Sequence, residues 1–334
     1  MAPKRKRVTL QDVAREAGVS AMTVSRVINH TGRISPATRQ HVSEVIDALG
    51  YRPSRAARTL VTTKTWTIGV VVPDITNPYF AEIVHGIEDT AWEAGYSVLL
   101  ANTNESPARE TSLLSQIDES AVDGLIPVSS RLSDDDLRPL LEQHRAVVTI
   151  NRQFPALASC VRPRHGYGFR AYEAALYLAR AGHTRIGYIS LIRSLINMQI
   201  EDLIARLAEK DIAMRREWCA SCLPTWDAGY QTGRRLLAEQ PDLTAIVAGN
   251  DLVALGVMRA AIEAGRCIPG DLALIGGDDI LLASQVTPPL TTFSVPKYEI
   301  GVHAARLLLK RMEGDLTYRE YLFDEKFIER GSAP

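Results

Sequence analysis

The sequence predicts two kinds of architecture in one chain: a small all-α helix-turn-helix module, and behind it an α/β core of two lobes built on parallel sheets. Three observations predict this. Residues 1–60 hold 11 of the 38 Lys/Arg and 4 of the 39 Asp/Glu, a net +7, which leaves 27 basic and 35 acidic residues, a net −8, for the remainder. In VTLQDVAREAGVSAMTVSRVIN, Val8 to Asn29, apolar residues recur at helical spacing on either side of Gly18-Val19. From Trp66 onward, short apolar runs alternate with helical stretches.

The N-terminal elements follow from local chemistry. Gln11 to Ala17 reads as one helix, Gly18-Val19 as a tight turn in which Gly18 supplies a positive φ, and Ser20 to Ile28 as a second helix N-capped by Ser20. Ala14 is small where the second helix crosses, and Val24 and Val27 pack back on the first. That leaves Ala21, Met22, Ser25 and Arg26 on or beside the outer face. Arg26 suits a bidentate guanine contact in a major groove, and Ala21 and Met22 suit thymine methyls. Thr9, Ser20, Thr23, Ser25 and Asn29, with Lys4 and Arg5 of the basic arm, are the candidate contacts to DNA phosphates. A third helix, Pro36 to Leu49, completes the mini-core, giving a module over residues 1–51. In the following segment, residues 52–65, Pro53 is a good helix start and Arg55 and Arg58 are further phosphate candidates. The run PKRKR also resembles a nuclear localisation signal, although an arm touching phosphates explains the same charges with the adjacent module.

The core, residues 66–330, opens with TIGVVVPD, PYFAEIVHGIEDTAWEAG, YSVLLANT, ARETSLLSQIDES and VDGLIPVSS, strand and helix in turn. Continuous apolar strands of this kind are buried on both faces, so the sheet is expected to be parallel and covered by helices. A second set begins near Gly182 with TRIGYIS, TAIVAG and DLALIGG. Ligands of such sheets sit at the carboxyl ends of the strands, here between two lobes. Tyr79 or Phe80 is placed to wall that cleft, and Arg152, after VVTIN, to meet an anionic group.

Several functions are disfavoured. The 334 residues contain no apolar run near the roughly 18 residues of a membrane span and no signal-peptide core, and four cysteines are too few for a disulfide framework, so a cytoplasmic protein is expected. Phosphate loops of Walker type, GxSxG and HExxH are all missing from the sequence, so no enzyme, metal or cofactor is expected. Cys219-x-x-Cys222 lacks the further ligands of a zinc site and reads as incidental. Asp278-Asp279 does not converge, because neighbouring residues at a strand end point to opposite sides.

The stretch Val8 to Asn29 followed by YRPSRAARTL resembles the DNA-binding headpiece and hinge helix of the lactose-repressor/galactose-repressor (LacI/GalR) family. The resemblance continues through PDITNPYF, AGHTRIGYIS, GNDLVALGVMRAAIEAGRCIPGDLALIGGDDI and PPLTTFSVP, over roughly residues 7–325. It implies a periplasmic-binding-protein-like core crossed three times, near Arg164, Phe293 and Tyr318, with lobe 1 at about 66–164 plus 294–318 and lobe 2 at about 165–292 plus 319–330. It implies base reading by Ala21, Met22 and Arg26, and paired hinge helices whose Leu60, beside Ala57, wedges the minor groove open. Ser54 stands where the family usually has Asn. Asn250 and Asp278 fall at the family's effector positions, although Asn250 also reads as a simple helix cap. Gln199 stands where most members carry Arg, Arg193 is the substitute cation six residues earlier, and Trp226 is the stacking aromatic.

These features together imply a homodimeric transcriptional regulator on a pseudo-palindromic operator, probed by a small polar effector with a sugar or sugar acid as first choice. The alternatives are a carbohydrate-metabolising enzyme fused to a DNA-binding domain, and a transport-type binding protein, which would lack the headpiece. Tetramer formation is not expected, since no heptad repeat precedes Pro334.

Overall fold

The computed structural model describes residues 8–28, 31–51, 64–117, 120–166, 168–191 and 197–333. The chain divides into two compact units, residues 1–65 and 66–334.

In the first unit, α1 spans Leu10–Glu16, α2 Ala21–Ile28 and α3 Pro36–Leu49. The first helix starts one residue earlier than its apolar spacing predicts. Thr9 sets that start with a capping box: its hydroxyl accepts from Asp12 N, and the Asp12 carboxylate accepts from Thr9 N at 3.0 Å. Gly18 has the expected positive φ, 64°. The Ser20 hydroxyl accepts from Thr23 N at 3.1 Å, which caps α2. Ser35 caps α3, Pro36 fills its first turn, and Gly50 ends it in the left-handed region. Val13, Ala14, Ala17, Val24, Val27, Val42 and Tyr51 close a core between the three helices.

The second unit begins with β1 (Thr67–Val72), α4 (Pro78–Glu93), β2 (Ser97–Asn102), α5 (Pro107–Gln116), β3 (Gly124–Pro127), α6 (Asp134–Leu141), β4 (Val148–Ile150) and β5 (Ser159–Pro163). It continues with α7 (Phe169–Arg180), β6 (Ile186–Leu191), α8 (Asn197–Ala208), β7 (Cys219–Cys222), α9 (Trp226–Glu239), β8 (Ala245–Ala248), α10 (Asp251–Glu263), β9 (Ala273–Ile275), α11 (Leu281–Gln285) and β10 (Thr292–Ser294). The chain then returns through α12 (Lys297–Met312), β11 (Glu320–Phe323) and β12 (Lys326–Ile328).

Lobe 1 carries the parallel order β2-β1-β3, joined by the parallel bridges Leu125–Val147 and Val128–Ile150 to β4-β5-β11. Lobe 2 carries the parallel order β7-β6-β8-β9, flanked by the antiparallel pair β10-β12. The parallel, helix-covered sheets expected from the apolar runs are therefore present. One strand departs from the expectation of two buried faces: β2 lies at a sheet edge and leaves Leu99 and Leu100 exposed.

Of the three crossings, only the third is shifted relative to the sequence reading. β10 pairs with β12 in lobe 2, so the second crossing follows Ser294. β11 pairs with β5 of lobe 1, Glu320 opposite Cys160 and Phe323 opposite Pro163. Residues 319–323 thus belong to lobe 1, and the third crossing falls at Asp324-Glu325 rather than near Tyr318. Alternation alone did not reveal it, because a short strand at the end of a long return helix fits either sheet. Helix α12 packs on α4 through Gly86 and Gly301; a Cβ at Gly301 would lie 2.1 Å from the Ile83 carbonyl oxygen.

Candidate functional site

Helix α2 turns Val24 and Val27 into the headpiece core and leaves Met22 and Arg26 exposed. Ser25 is half-buried, and so is Ala21, which packs against the mini-core and presents less surface than its spacing implied. Ser20 and Thr23 hydroxyls lie 2.9 Å apart and serve the cap of α2, and the Thr9 hydroxyl donates to Asp12 at 2.7 Å. Thr9 and Ser20 are exposed and Thr23 is half-buried. Lys4, Arg5, Asn29, Arg55, Ala57, Arg58 and Leu60 lie outside the described residues.

In the core, strand ends from both lobes meet around a cleft of about 970 Å³ including its open mouth. Lobe 1 contributes Asn77, Tyr79 and Phe80 from the start of α4, Arg131, and Asn151 after β4. Asn77 caps α4, its side chain accepting from Tyr79 N at 3.0 Å, and this fixes the two aromatic rings at the wall. Lobe 2 contributes Arg170 from α7, Tyr188, Asn250, and Gly276, Gly277 and Asp278 after β9; Glu325 comes from the third crossing.

Asp251 organises the loop that presents Asp278. It is fully buried, and its carboxylate accepts from Gly277 N at 2.8 Å, Ile280 N at 2.9 Å and the Thr292 hydroxyl at 2.5 Å. The next two residues diverge as expected. Asp278 faces the cleft, 3.1 Å from Arg170 Nη1, whereas Asp279 is held by Arg330 at 2.6 Å. Lys297, at the start of lobe 1's α12, donates to the carbonyls of Asp278 (3.0 Å) and Asp279 (2.9 Å), tying that loop to the other lobe.

The remaining sequence candidates separate. Tyr79, Phe80, Asn250 and Asp278 line the cleft. Asn250 does so with its amide engaged: Oδ1 accepts from Val253 N at 2.9 Å as the cap of α10, and Nδ2 donates to the Pro224 carbonyl at 3.3 Å. Its capping role is the one its contacts define. Arg152 is not at the cleft, because its guanidinium is drawn to Asp134 and to the Leu132 carbonyl, 2.9 Å away. Trp226 is the first residue of α9, half-exposed, with its ring stacked on Tyr230 and only the neighbouring Pro224 reaching the cleft. Its helical start aims the ring along the outer surface. Arg193 lies outside the described residues, as does the side chain of Gln199 in α8. Cys219 and Cys222 are both buried, and burial pushes each thiol up to about 11, so neither is poised as a thiolate.

Arg170, Glu325, Asn77 and Asn151 were missed from sequence. Arg170 did leave a signal, for it is the second residue of a helix that starts at Phe169 after an uncapped Gly168. A cation in a first turn opposes the helix dipole and needs carboxylates nearby. Here they are Asp278 and, 3.0 Å from Arg170 Nε, Glu325. Burial pushes Glu325 above the ordinary carboxylate range, with Arg170 and His165 opposing. Among the described residues, no His, Cys, Asp or Glu group is arranged to hold a metal ion, and no helix is long and apolar enough to cross a membrane.

Similarity to known proteins gives the family to which this small helical unit and two-lobed α/β core with a polar cleft belong. Residues 9–54 match bacterial regulatory proteins of the lacI family, and residues 175–333 match the periplasmic binding protein-like domain. The chain is 36% identical over 313 residues to catabolite control protein A of Priestia megaterium, covering 91% of this chain and 92% of that protein. It is 34% identical to the HTH-type transcriptional regulator GalR of Escherichia coli (strain K12), covering 90% and 88%. The lac repressor dimer bound to operator and the anti-inducer ONPF superimposes with a TM-score of 0.84 at 25% identity, covering 98% and 99%. A transcriptional regulator CelR–cellobiose complex gives 0.71 at 29% identity, covering 98% and 100%. The chain belongs to the lacI family of bacterial regulatory proteins. Its relatives are transcriptional regulators, not enzymes.

Proposed function

We propose that this chain is a repressor that binds a pseudo-palindromic operator as a homodimer and is controlled by a small polar metabolite, a sugar or sugar derivative, held between its two lobes. One observation carries the reading: Asp278 lines the cleft with its side chain while its backbone carbonyl is held by Lys297 of the opposite lobe. A ligand that engages that carboxylate acts on the contact between lobes, which is the differential interaction a population shift requires. Met22 and Arg26 read base edges, with Ala21 beside them, and Thr9, Ser20, Thr23 and Ser25 bind phosphates. Lys4, Arg5, Asn29 and the hinge segment with Arg55, Ala57, Arg58 and Leu60 complete the DNA contacts in this reading. The protein works in the cytoplasm, on the nucleoid.

Two titrations test it. A carbohydrate panel is screened by thermal shift, where a ligand at 100 times its Kd stabilises by about 2.7 kcal/mol. Operator selected from random DNA is then titrated with wild type and Arg26→Ala. The variant loses about 1 to 3 kcal/mol at one base position, with little change on random DNA. Equal loss on both DNAs removes Arg26 from base reading, and selection that returns no preferred sequence removes the repressor reading itself.

A further inference from the structure

The loop after helix α2 places a glycine against Arg26. Thr31 N donates to the Arg26 carbonyl at 3.0 Å, Ile34 packs on the mini-core, and the Ser35 hydroxyl caps α3 by accepting from Thr38 N at 3.1 Å. Residues 31–35 are therefore held at both ends. Between these anchors Gly32 has a φ of 69°, and the room left by its missing side chain is taken by Arg26. A Cβ built on Gly32 would lie 3.2 Å from Arg26 Cδ, 3.6 Å from Nε and 3.8 Å from Cγ. The first distance is tighter than an ordinary Cβ contact, so a side chain at this position requires the arginine stem to give way by a few tenths of an ångström. Gly18 and Gly50 share the left-handed backbone, with φ of 64° and 59°, but a Cβ on either would meet nothing within 4 Å. Conformation accounts for all three glycines, and contact with Arg26 sets Gly32 apart.

We propose that Gly32 is a positioning residue for base reading: its bare Cα seats the stem of Arg26 and so fixes where the guanidinium meets a base edge. The proposal rests on the reading of Arg26 as a base-reading residue and deepens it. An exposed arginine has many rotamers, and a stem already laid against an anchored loop has less freedom to lose when DNA arrives. A bidentate contact needs two donors in place at once. A displaced stem therefore weakens the choice at one base pair, while phosphate contacts made by other side chains of the headpiece are unaffected.

The test uses the full chain and the operator selected from random DNA, with each base pair of one half-site replaced in turn and affinity read by fluorescence anisotropy at fixed salt. Arg26→Ala marks the base pair that Arg26 reads, removing a preference of about 5- to 150-fold there. Gly32→Ala cuts the preference at that same base pair by about threefold or more and leaves the others within about twofold of wild type. Because alanine is strained at positive φ, Gly32→Asn is the second variant; asparagine tolerates that backbone, so it gives the same selective loss with a smaller drop in Tm. Gly18→Ala and Gly18→Asn carry the matching backbone change without touching Arg26, and they keep the wild-type preference at the marked base pair. In the double variant Arg26→Ala/Gly32→Ala the glycine change adds no further loss at that base pair, because no stem is left to displace. A folded Gly32→Asn protein that keeps the wild-type preference at the marked base pair, or that weakens all base pairs alike, overturns the proposal and leaves Arg26 as the reading residue. So does a Gly18 variant that reproduces the selective loss. If Arg26→Ala marks no base pair, base reading by Arg26 is what fails, and the proposal falls with it.

Discussion

The headpiece and the cleft use their residues in opposite ways. Among the described residues of the headpiece, seven buried side chains close the core, and the capping groups of Thr9, Ser20 and Ser35 set the helix starts. Met22 and Arg26 are exposed, so their chemistry is free for a partner. In the cleft the same residues hold the fold and face the ligand space: Asn250 caps α10, Asp278 pairs with Arg170, and Arg131 binds Glu105 and its own loop. An exposed helix face can change sequence with little effect on stability. A cleft that is also a joint between lobes cannot.

This contrast can be broken most severely at a position with no polar role. Gly301→Ala places a Cβ against the Ile83 backbone where α12 crosses α4, so the helices must separate. The core should lose on the order of 3 kcal/mol or more in denaturant unfolding, while the headpiece keeps its own transition. Asp251→Asn comes next. It puts an amide donor among the N–H and O–H donors of Gly277, Ile280 and Thr292 and should cost about 2 kcal/mol. It should also abolish ligand binding, because the Asp278 loop loses its anchor. If stability fell with ligand affinity intact, fold and site would be separable here and the contrast too sharply drawn.

Val24→Ala probes the other region. Val24 is fully buried in a core of few side chains, and its loss should cost the headpiece about 1 to 2 kcal/mol. Operator affinity should fall in anisotropy titrations with ligand affinity in the core unmoved. The smallest expected effect is electrostatic. Arg162, then Gln153 and Tyr318, hold Glu320 down to about 2, against burial, from its ordinary 4.5. A depressed carboxylate contributes stability above its unfolded value, and that contribution is lost as pH falls from about 4.5 toward about 2. Glu320→Gln should flatten the acid limb of the core's Tm profile over that window and leave the headpiece profile as it was.

The same contrast explains what the sequence made legible. Helical spacing around Gly18, the placement of Val24 and Val27, and α3 at Pro36–Leu49 follow from short-range periodicity and capping, and the structure places them as read. The parallel strands follow from continuous apolar runs. The cleft was only partly legible. Asp278, Tyr79 and Phe80 reach it, but Arg152 and Trp226 do not, because Asp134 and Tyr230 offer each a nearer partner that no spacing rule reports. Arg170 and Glu325 are far apart in sequence and meet only through the third crossing, which the sequence placed too early.

The most direct measurement is an operator titration by fluorescence anisotropy at fixed salt, with and without a saturating ligand from the thermal-shift screen, on wild type and Asp278→Asn. Coupling free energies between sites are typically about 1 to 3 kcal/mol, or roughly 5- to 150-fold in affinity. Wild type should show an operator Kd that changes by a factor in that range when ligand is added, and Asp278→Asn should show none at the same ligand concentration. An unchanged wild-type Kd, or an equal change in both proteins, would contradict control of the headpiece through the Asp278 cleft.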